Sequence, residues 1–333
     1  MAERRVHFAA AAVLALGLVA VVVLGHPAAW RAWLGAACLA IAVPAGAVGW
    51  CLAMRLCVGE WTGPVAEASA AIAGRMPYAA VLFVPILLRP SALYPWVGAP
   101  PAGAFRAVYL SVAFFDARAI AWLVALSLAG LHIAAGRPVS KAAACLGLIA
   151  FFLFGMLNTT DWLGSLDLTF NSSGFGLYVA CLQFASALAL AILAGEPEET
   201  HRAGALLLAL MLMWAYFAFM VYFIPWSGNL RGALHYYRAR QVGIWPWLMT
   251  AIGCCRMPIL FALFFRTVRH GRTWMQALAG LVLVGSVMEF AWMAMPDSHA
   301  GPMEGVLYTV LALAGVAACW PPRAAIPDAG GAA

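Results

Sequence analysis

Two residues of opposite charge interrupt apolar stretches in the last third of the sequence. Arg256 follows a pair of cysteines, and Glu289 lies within residues 286–290. An ionisable group at membrane depth is costly, so each of these residues needs a partner or a function. They can pair across adjacent helices. The pair would then either fix helix packing alone or supply a carboxylate for a proton relay or a quinone pocket, and the sequence supports both interpretations equally.

A second polar stretch links two apolar runs over residues 158–178. It holds two carboxylates, several hydroxyl groups and two side-chain amides, and its glycines lead directly into the next apolar run. Glycine permits close approach of another helix or of a ligand, although an ordinary polar loop is an alternative interpretation. We predict proton-pathway roles for Asp161, Asp167 and Glu289, with Arg256 adjusting one of these carboxylates, and contacts with a quinone or a partner for Trp162, Ser165 and Tyr178.

A third polar stretch covers residues 225–245 and mixes aromatic residues with three arginines. Taken alone, it is typical of a solvated loop with aromatic residues at a membrane surface. Within it, Asn229 and His235 are further candidates for contact with a quinone or a partner.

Metal and haem ligation have no support in the sequence. The eight cysteines form neither a CxxC pair nor a CxxCH motif, and most stand in apolar runs, where cysteine behaves as a small hydrophobic residue. Of seven histidines, only His7 and His132 fall inside apolar runs, each near an end. A haem in a helical bundle usually needs two facing histidines within the membrane. We therefore predict that this chain binds no metal and no redox cofactor of its own.

These residues must be positioned by helices in a membrane. Apolar residues make up 65% of the 333 residues and charged residues only 10%, which excludes an ordinary soluble enzyme. The apolar runs are continuous rather than alternating, which favours helices over a β-barrel. We predict an all-α, polytopic transmembrane protein with ten spans, at about residues 6–25, 32–54, 77–95, 115–135, 140–158, 172–194, 202–225, 244–265, 273–295 and 303–320.

Between the second and third spans, residues 55–76 are mildly amphipathic, and we expect them to lie at the membrane interface. Basic residues number 11 on one side of the predicted spans and 7 on the other, with Arg256 inside a span, which predicts both termini in the cytoplasm. The small net charge of +6 reflects this topology and indicates no nucleic-acid partner. We assign residues 1–320 to one membrane domain and 321–333 to a disordered tail rich in Ala, Gly and Pro.

The polar stretches resemble a known family in the same order along the chain. Residues 161–178 look like the signature of the F-type membrane subunit of alternative complex III, a bacterial quinol:electron-acceptor oxidoreductase; this signature begins with Asp-Trp and ends with Gly-x-Tyr. Residues 220–230 are similar to the family's Trp-x-Gly-Asn segment, and residues 285–296 to its ninth-span segment. The subunit belongs with the NrfD-like (polysulfide reductase membrane subunit) superfamily, and the similarity covers about residues 60–300.

The resemblance implies two four-helix bundles plus flanking helices, in the bacterial inner membrane. It also implies a subunit without its own redox cofactor that supports quinol oxidation and proton translocation, and that is able to contact a quinone. The partners would be a sister NrfD-like membrane subunit together with iron–sulfur and cytochrome c subunits, which carry the clusters and haems.

Two other classes remain open on the residues alone. A secondary transporter or channel for a small solute would use Arg256 and Glu289 to line its path, with spans interrupted near Pro85, Pro258 and Gly174. A scaffold without any path is the third.

Overall fold

The computed structural model describes residues 2–57, 59, 62–99, 103–195, 203–296 and 300–321. These residues form α-helices and short 3₁₀ turns, with no β-strand among them. The predicted tail lies outside the described residues, apart from Pro321. The helices, in chain order, are α1 (Ala2–Leu24), α2 (Pro27–Leu56), α3 (Thr62–Ala73), α4 (Met76–Val81), α5 (Val84–Leu88), α6 (Ala104–Tyr109), α7 (Val112–Ala134), α8 (Lys141–Trp162), α9 (Phe175–Ala194), α10 (Gly204–Ser227), α11 (Arg231–Ala239), α12 (Trp245–Ala262), α13 (Arg266–His270), α14 (Arg272–Ala294) and α15 (Pro302–Ala318).

Capping residues explain where several of these helices begin. The Ser140 hydroxyl accepts a hydrogen bond from the backbone N–H of Ala143 at 3.1 Å and so satisfies a free donor at the start of α8. Pro27 and Pro302 occupy the first positions of α2 and α15, where a missing N–H is tolerated. The helix ends are therefore set by local chemistry, while helix packing is set by the apolar faces.

Eight helical segments of the described chain are long and apolar enough to cross a membrane. They correspond to eight of the ten predicted spans, and the all-α class is confirmed for the described residues. The other two predicted spans fall on α12, which has 18 residues and carries Arg256, and on α15, which has 17 residues.

The third candidate span is broken, and it covers Val65–Leu88 as the series α3, α4 and α5. One face of α3 packs against α2, α7 and α9. A Cβ on Gly74, directly after α3, would lie 2.7 Å from the Cβ of Ala134, the last residue of α7, so α3 begins and ends on the side of the molecule where α2 and α7 end. Helices α4 and α5 then occupy the predicted third span, and the interfacial position of residues 55–76 stays a prediction.

Helices α2 and α9 form the centre of the molecule. Nearly all residues of α2 and most of α9 are buried, whereas α1, α7, α8 and α10 are largely exposed. Their close contact depends on glycine, since a Cβ on Gly46 would lie 2.0 Å from the carbonyl oxygen of Gln183. Around this pair, α3, α4, α7 and α8 contact α2, while α8, α10 and α14 contact α9, α12 contacts α14, and α1 packs against α15.

The helices run up and down between two faces. At the first, which we call the terminus face, the start of α1 meets the end of α15, where a His7 ring nitrogen lies 2.9 Å from the Trp320 carbonyl oxygen. At the other, which we call the opposite face, Arg31 near the start of α2 donates a hydrogen bond to the Pro296 carbonyl beyond α14. The link between α8 and α9, with Asp161 and Asp167, lies at the opposite face.

Candidate functional site

The first polar cluster of the interior is the Arg256–Glu289 pair, which joins α12 to α14. Arg256 Nε lies 2.7 Å from Glu289 Oε1, and both side chains are almost completely buried. The predicted pairing of these two residues is confirmed. Because a buried charge without a partner is very unfavourable, each residue lowers the cost of burying the other.

The remaining hydrogen-bonding capacity of Glu289 is also used. Its second carboxylate oxygen accepts hydrogen bonds from the Tyr178 hydroxyl and, at 2.8 Å, from the Trp214 indole N–H. Arg256 Nη2 donates to the Ser286 hydroxyl at 3.0 Å, and the same hydroxyl lies 2.9 Å from that of Ser186. Both oxygens of the carboxylate are thus held by donors from α9, α10 and α12.

Gly285 makes room for this network on α14. A Cβ at this position would lie 2.6 Å from Arg256 Nε and 2.9 Å from Cζ. The guanidinium therefore crosses α14 directly over a residue that has no side chain, which places it in reach of Glu289.

The second polar cluster is an ion pair that the sequence analysis did not foresee. Arg118 on α7 places Nε 2.7 Å from Asp161 Oδ2 on α8, and it donates from Nη2 to the Tyr109 carbonyl at 3.0 Å. Its guanidinium stacks over the rings of Tyr109 and Phe114, at 4.0 and 4.3 Å from their centroids. Such stacking adds cation–π attraction at a partly desolvated site.

This outer pair is not saturated. Asp161 is only 1% exposed, yet its Oδ1 atom is buried without a hydrogen-bond partner among the described residues, and so is Arg118 Nη1. Buried polar atoms are normally satisfied, so an unpaired carboxylate oxygen beside an unpaired guanidinium nitrogen is unusual. The site retains capacity to bind a small polar species such as water or a proton carrier.

A vestibule of about 160 Å³, lined by both polar and apolar residues, opens beside this pair at the opposite face. Both predicted carboxylates, Asp161 and Asp167, line it. The other polar lining residues are Arg106, Tyr109, Thr160, Ser165 and Asn171. The vestibule gives the buried Asp161 a polar route toward the membrane surface.

Asp167 stands at the mouth of the vestibule in a tight turn. Its Oδ1 accepts hydrogen bonds from the backbone N–H and the hydroxyl of Thr169, at 2.8 and 2.6 Å, and its Oδ2 lies 3.3 Å from His235 Nδ1. Partial burial acts to raise the pKa of Asp167, but the bonds from Thr169 and His235 outweigh it and hold the pKa below its usual value. Asp167 is therefore an anion near neutral pH.

Tyr109 closes the inner side of the vestibule with a neutral phenol. Burial, followed by the nearby charge of Asp161, raises the pKa of Tyr109 to about 12. The Tyr109 hydroxyl thus keeps its proton at neutral pH and can donate or pass on a hydrogen bond.

A small internal cavity lies between the two pairs. It holds about 10 Å³, roughly the space of one water molecule, and is lined by Asn158, Trp162, Gln183 and Phe290 among others. Asn158 Oδ1 and the Trp162 indole N–H are buried there without a hydrogen-bond partner in the described part of the chain. Phe290 of α14, the neighbour of Glu289 in the sequence, also lines this cavity, so the cavity lies between α8 and the helix that carries the deeper pair.

The structure brings together most of the residues that the sequence singled out. Ser165 accepts a hydrogen bond from the Trp96 indole at 3.1 Å and donates one to the Asp161 carbonyl, so it supports the turn after α8. Trp162 packs on Phe83, with ring centroids 4.3 Å apart. Tyr178 belongs to the deep pair and His235 to the vestibule mouth.

Asn229 does not join either cluster. It is exposed just after α10 and adopts a left-handed backbone with φ of 47°, which asparagine tolerates better than most residues. The structure thus gives it a role in a turn.

The sequence analysis missed Arg118, Tyr109, Trp214 and Ser286. Arg118 was counted only as one of the basic residues of the less basic side, although it stands inside the predicted fourth span. A charged residue within a span was the signal that identified Arg256, and it could have identified Arg118 as well. Tyr109, Trp214 and Ser286 carry no comparable signal, because their roles depend on which helices meet.

Within the described residues, no group of three or more His, Cys, Asp or Glu side chains is placed to hold a metal ion. Comparison with known proteins assigns no family: no protein-family model matches the sequence, and no curated protein matches it. The similarity to alternative complex III therefore stays a prediction from the motifs.

Proposed function

We propose that this protein is a proton-handling integral membrane subunit of a respiratory quinol:electron-acceptor oxidoreductase of the alternative complex III type. The observation that carries the proposal is the unsaturated Arg118–Asp161 pair beneath a polar vestibule, at the start of the segment with the strongest motif similarity. A buried carboxylate with an unused oxygen and a polar route to one face has the features required of a proton-exchange group.

Asp161 takes up or releases the proton in this scheme. Arg118 stabilises its anionic form, and Tyr109 supplies a neutral hydroxyl beside it. Asp167 and His235 at the mouth pass the proton to or from the membrane surface, because one is an anion and the other is an exposed imidazole.

The deeper pair extends this arrangement toward the centre of the molecule. The cavity at Asn158 and Trp162 has room for about one water molecule between Asp161 and the helix that carries Glu289. In this scheme Glu289 and Arg256 belong to the proton pathway, and their fixed charges bias the direction of proton movement. The scheme uses no metal ion.

For the architecture, we propose ten spans in the bacterial inner membrane with both termini in the cytoplasm, so that the vestibule faces outward. The first four-helix bundle would contain α2, α3–α5, α7 and α8, and the second α9, α10, α12 and α14, with α1 and α15 as flanking spans. Contacts of α2 with α3, α7 and α8, and of α9 with α10 and α14, are consistent with this division, while the contact between α2 and α9 would join the two bundles.

The proposed complex places its redox centres on other subunits. Haems and iron–sulfur clusters would reside on cytochrome c and iron–sulfur partners, and a sister NrfD-like subunit would lie beside this chain. Quinone chemistry would take place next to Trp162, Ser165 or Tyr178, or on the sister subunit, with this chain accepting the protons.

The test is proton release by the purified complex. We expect Asp161→Asn to slow quinol-coupled proton release by about a hundredfold, the usual contribution of a positioned acid or base. Glu67→Gln is the matched control, because this carboxylate is exposed on α3 and does not line the vestibule. Unchanged proton release in Asp161→Asn, with the complex intact, would refute the role of Asp161.

A second candidate function is a secondary transporter or channel for a small solute. The breaks between α3, α4 and α5 favour it, because interrupted spans often border transport sites. Co-purification separates the two functions. An oxidoreductase subunit should be isolated with haem- and iron–sulfur-containing partners, whereas a transporter should be isolated without them.

A further inference from the structure

A lateral groove of about 550 Å³ lies between α1, α4 and α15, with α2 at its floor. Its apolar wall includes Leu14, Leu18, Val81 and Pro85. Large apolar side chains beside the groove are strongly exposed, namely Val81 and Leu88 on one side and Leu16 and Val19 on α1. The groove is thus bordered by side chains that face the hydrocarbon of a membrane, and it is separate from the vestibule and from both ion pairs.

The polar end of the groove is at the terminus face and is basic. His7 and Arg75 line it there, beside Cys319. Arg75 is partly buried and stacks at 5.8 Å on the Tyr78 ring, but no described carboxylate lies within ion-pair distance of it. No acidic residue is among the described residues that line the groove. A partly buried arginine without an anionic partner is unfavourable, so this end of the groove is complementary to an anion.

The length of the groove fits one acyl chain. From His7 to Leu18 it follows α1 for 11 residues, which is roughly 16 Å at about 1.5 Å per residue. One leaflet of a bilayer has a hydrocarbon thickness of roughly 15 Å. A ligand with its headgroup at Arg75 would therefore have its chain end near Leu18, Trp33 and Pro85, at the middle of the membrane.

We infer that this groove binds an anionic phospholipid, with the phosphate at Arg75 and His7 and an acyl chain along α1 and α4. Basic pockets between transmembrane helices on the cytoplasmic side bind anionic lipid headgroups in this manner. The bound lipid neutralises Arg75, fills the space between α1 and α4, and fixes the flanking helix α1 against the bundle. This inference does not depend on the proton-handling function.

The test uses the full-length chain, delipidated in detergent and titrated with phosphatidylglycerol or phosphatidylcholine of identical acyl chains, with bound lipid counted by native mass spectrometry. We expect one phosphatidylglycerol to bind preferentially. Arg75→Gln should weaken its binding about fivefold and remove the preference, since one basic residue near a headgroup contributes about that factor.

A second variant tests the apolar part of the groove without changing charge. Ala15→Phe places a ring into the groove and should abolish lipid binding. Ala12→Phe is the control and should leave binding unchanged, because Ala12 lies three residues earlier on α1 and does not line the groove. Equal binding of the two lipids, or undiminished phosphatidylglycerol binding in Arg75→Gln, would overturn the inference. So would a lipid-independent dimer that Ala15→Phe disrupts, because the groove would then be a helix-packing surface between two copies.

Discussion

The two arginine–carboxylate pairs are alike in construction and different in hydrogen bonding. Each joins an arginine to a carboxylate on the next long helix, at the same distance of 2.7 Å: Arg118 on α7 to Asp161 on α8, and Arg256 on α12 to Glu289 on α14. The deep pair has donors for both carboxylate oxygens, whereas the outer pair leaves one oxygen and one guanidinium nitrogen without a partner within hydrogen-bond distance among the described residues.

Their depth explains this difference. Asp161 stands one residue before the end of α8, and Glu289 five residues before the end of α14, so Glu289 lies roughly 6 Å further along its helix from the opposite face. Glu289 is only 1% exposed and lines none of the cavities described above, so the hydrogen bonds seen at its carboxylate come from the protein. Asp161 borders the vestibule, so its unpaired carboxylate oxygen can form a hydrogen bond with a mobile polar species such as water.

The comparison separates two uses of a buried charge. A saturated pair holds helices in register and resists titration, because any proton transfer would break several hydrogen bonds at once. An unsaturated pair next to a polar opening has fewer hydrogen bonds to break when its carboxylate gains or loses a proton. Its protonation state can therefore change more easily. We therefore expect Arg256–Glu289 to affect mainly stability and Arg118–Asp161 to affect mainly proton exchange.

The largest expected effect is on stability, from removing the deep cation. Arg256→Met leaves Glu289 buried without its ion partner and should lower the free energy of unfolding by about 3–5 kcal/mol. Arg118→Met should lower it by only about 1–3 kcal/mol, since Asp161 can take up a proton through the vestibule. Thermal unfolding of the purified variants in detergent measures both.

The double variant Arg256→Met with Glu289→Gln is the control for that experiment. It removes both charges but keeps an amide that can bond to Tyr178 and Trp214, so it should recover a large part of the lost stability. Equal losses in Arg256→Met and Arg118→Met would contradict the distinction between the two pairs.

A smaller loss is expected from crowding the deep pair. Gly285→Ala would place its Cβ 2.6 Å from Arg256 Nε and displace a guanidinium that hydrogen bonds hold in place. We expect a loss of about 1–3 kcal/mol, as for other overpacked interior sites. Gly280→Ala on the same helix has no atom within 4 Å of its new Cβ and should be neutral or slightly stabilising. A neutral Gly285→Ala would show that Arg256 is not fixed there.

Chemical labelling compares the two carboxylates directly. A membrane-permeant carbodiimide reacts with protonated carboxyl groups that it can reach, and peptide mass spectrometry locates the product. Asp161 borders the vestibule, while Glu289 is enclosed by three donors, so we expect Asp161 to be modified at least about tenfold faster. The Asp161→Asn variant should lose this product. Preferential modification of Glu289 would reverse our assignment of the two roles.

The smallest effect concerns the vestibule mouth. His235→Ala removes an exposed partner of Asp167 and should cost less than about 1 kcal/mol, as exposed ion pairs do.

The folded-state pKa of Asp167 lies below its unfolded value of about 3.9, so its contribution to stability is present above that pH and is lost as the pH falls through the folded-state pKa. The stability difference between the wild type and Asp167→Asn should therefore disappear in strong acid. A difference that persists there would exclude the ionised Asp167 as its source.

Some of the fold and of the site could be predicted without coordinates. Continuous apolar runs with few charges indicated membrane helices, and eight of the predicted spans have counterparts long and apolar enough to cross. The pairing of Arg256 with Glu289 was predictable for the same reason, since two charges placed in neighbouring apolar runs have few other ways to lower their cost. The third span was predicted to start at residue 77, and α4 begins at Met76. The sequence did not show that one face of α3, with small residues such as Ala68 and Ser69, is buried in the protein.

The sequence by itself thus indicated a lipid environment, a helical fold class and the presence of charges that need partners. These features follow from the local cost of burying polar groups in hydrocarbon. Only the tertiary structure decided which donors reach which carboxylate. Trp214 and Tyr178 approach Glu289 from different helices, and Arg118 meets Asp161, which lies 43 positions further along the sequence. Whether a buried charge has all of its hydrogen bonds depends on such non-local contacts. This difference separates the deep pair from the outer pair, to which we assign proton exchange as a proposal.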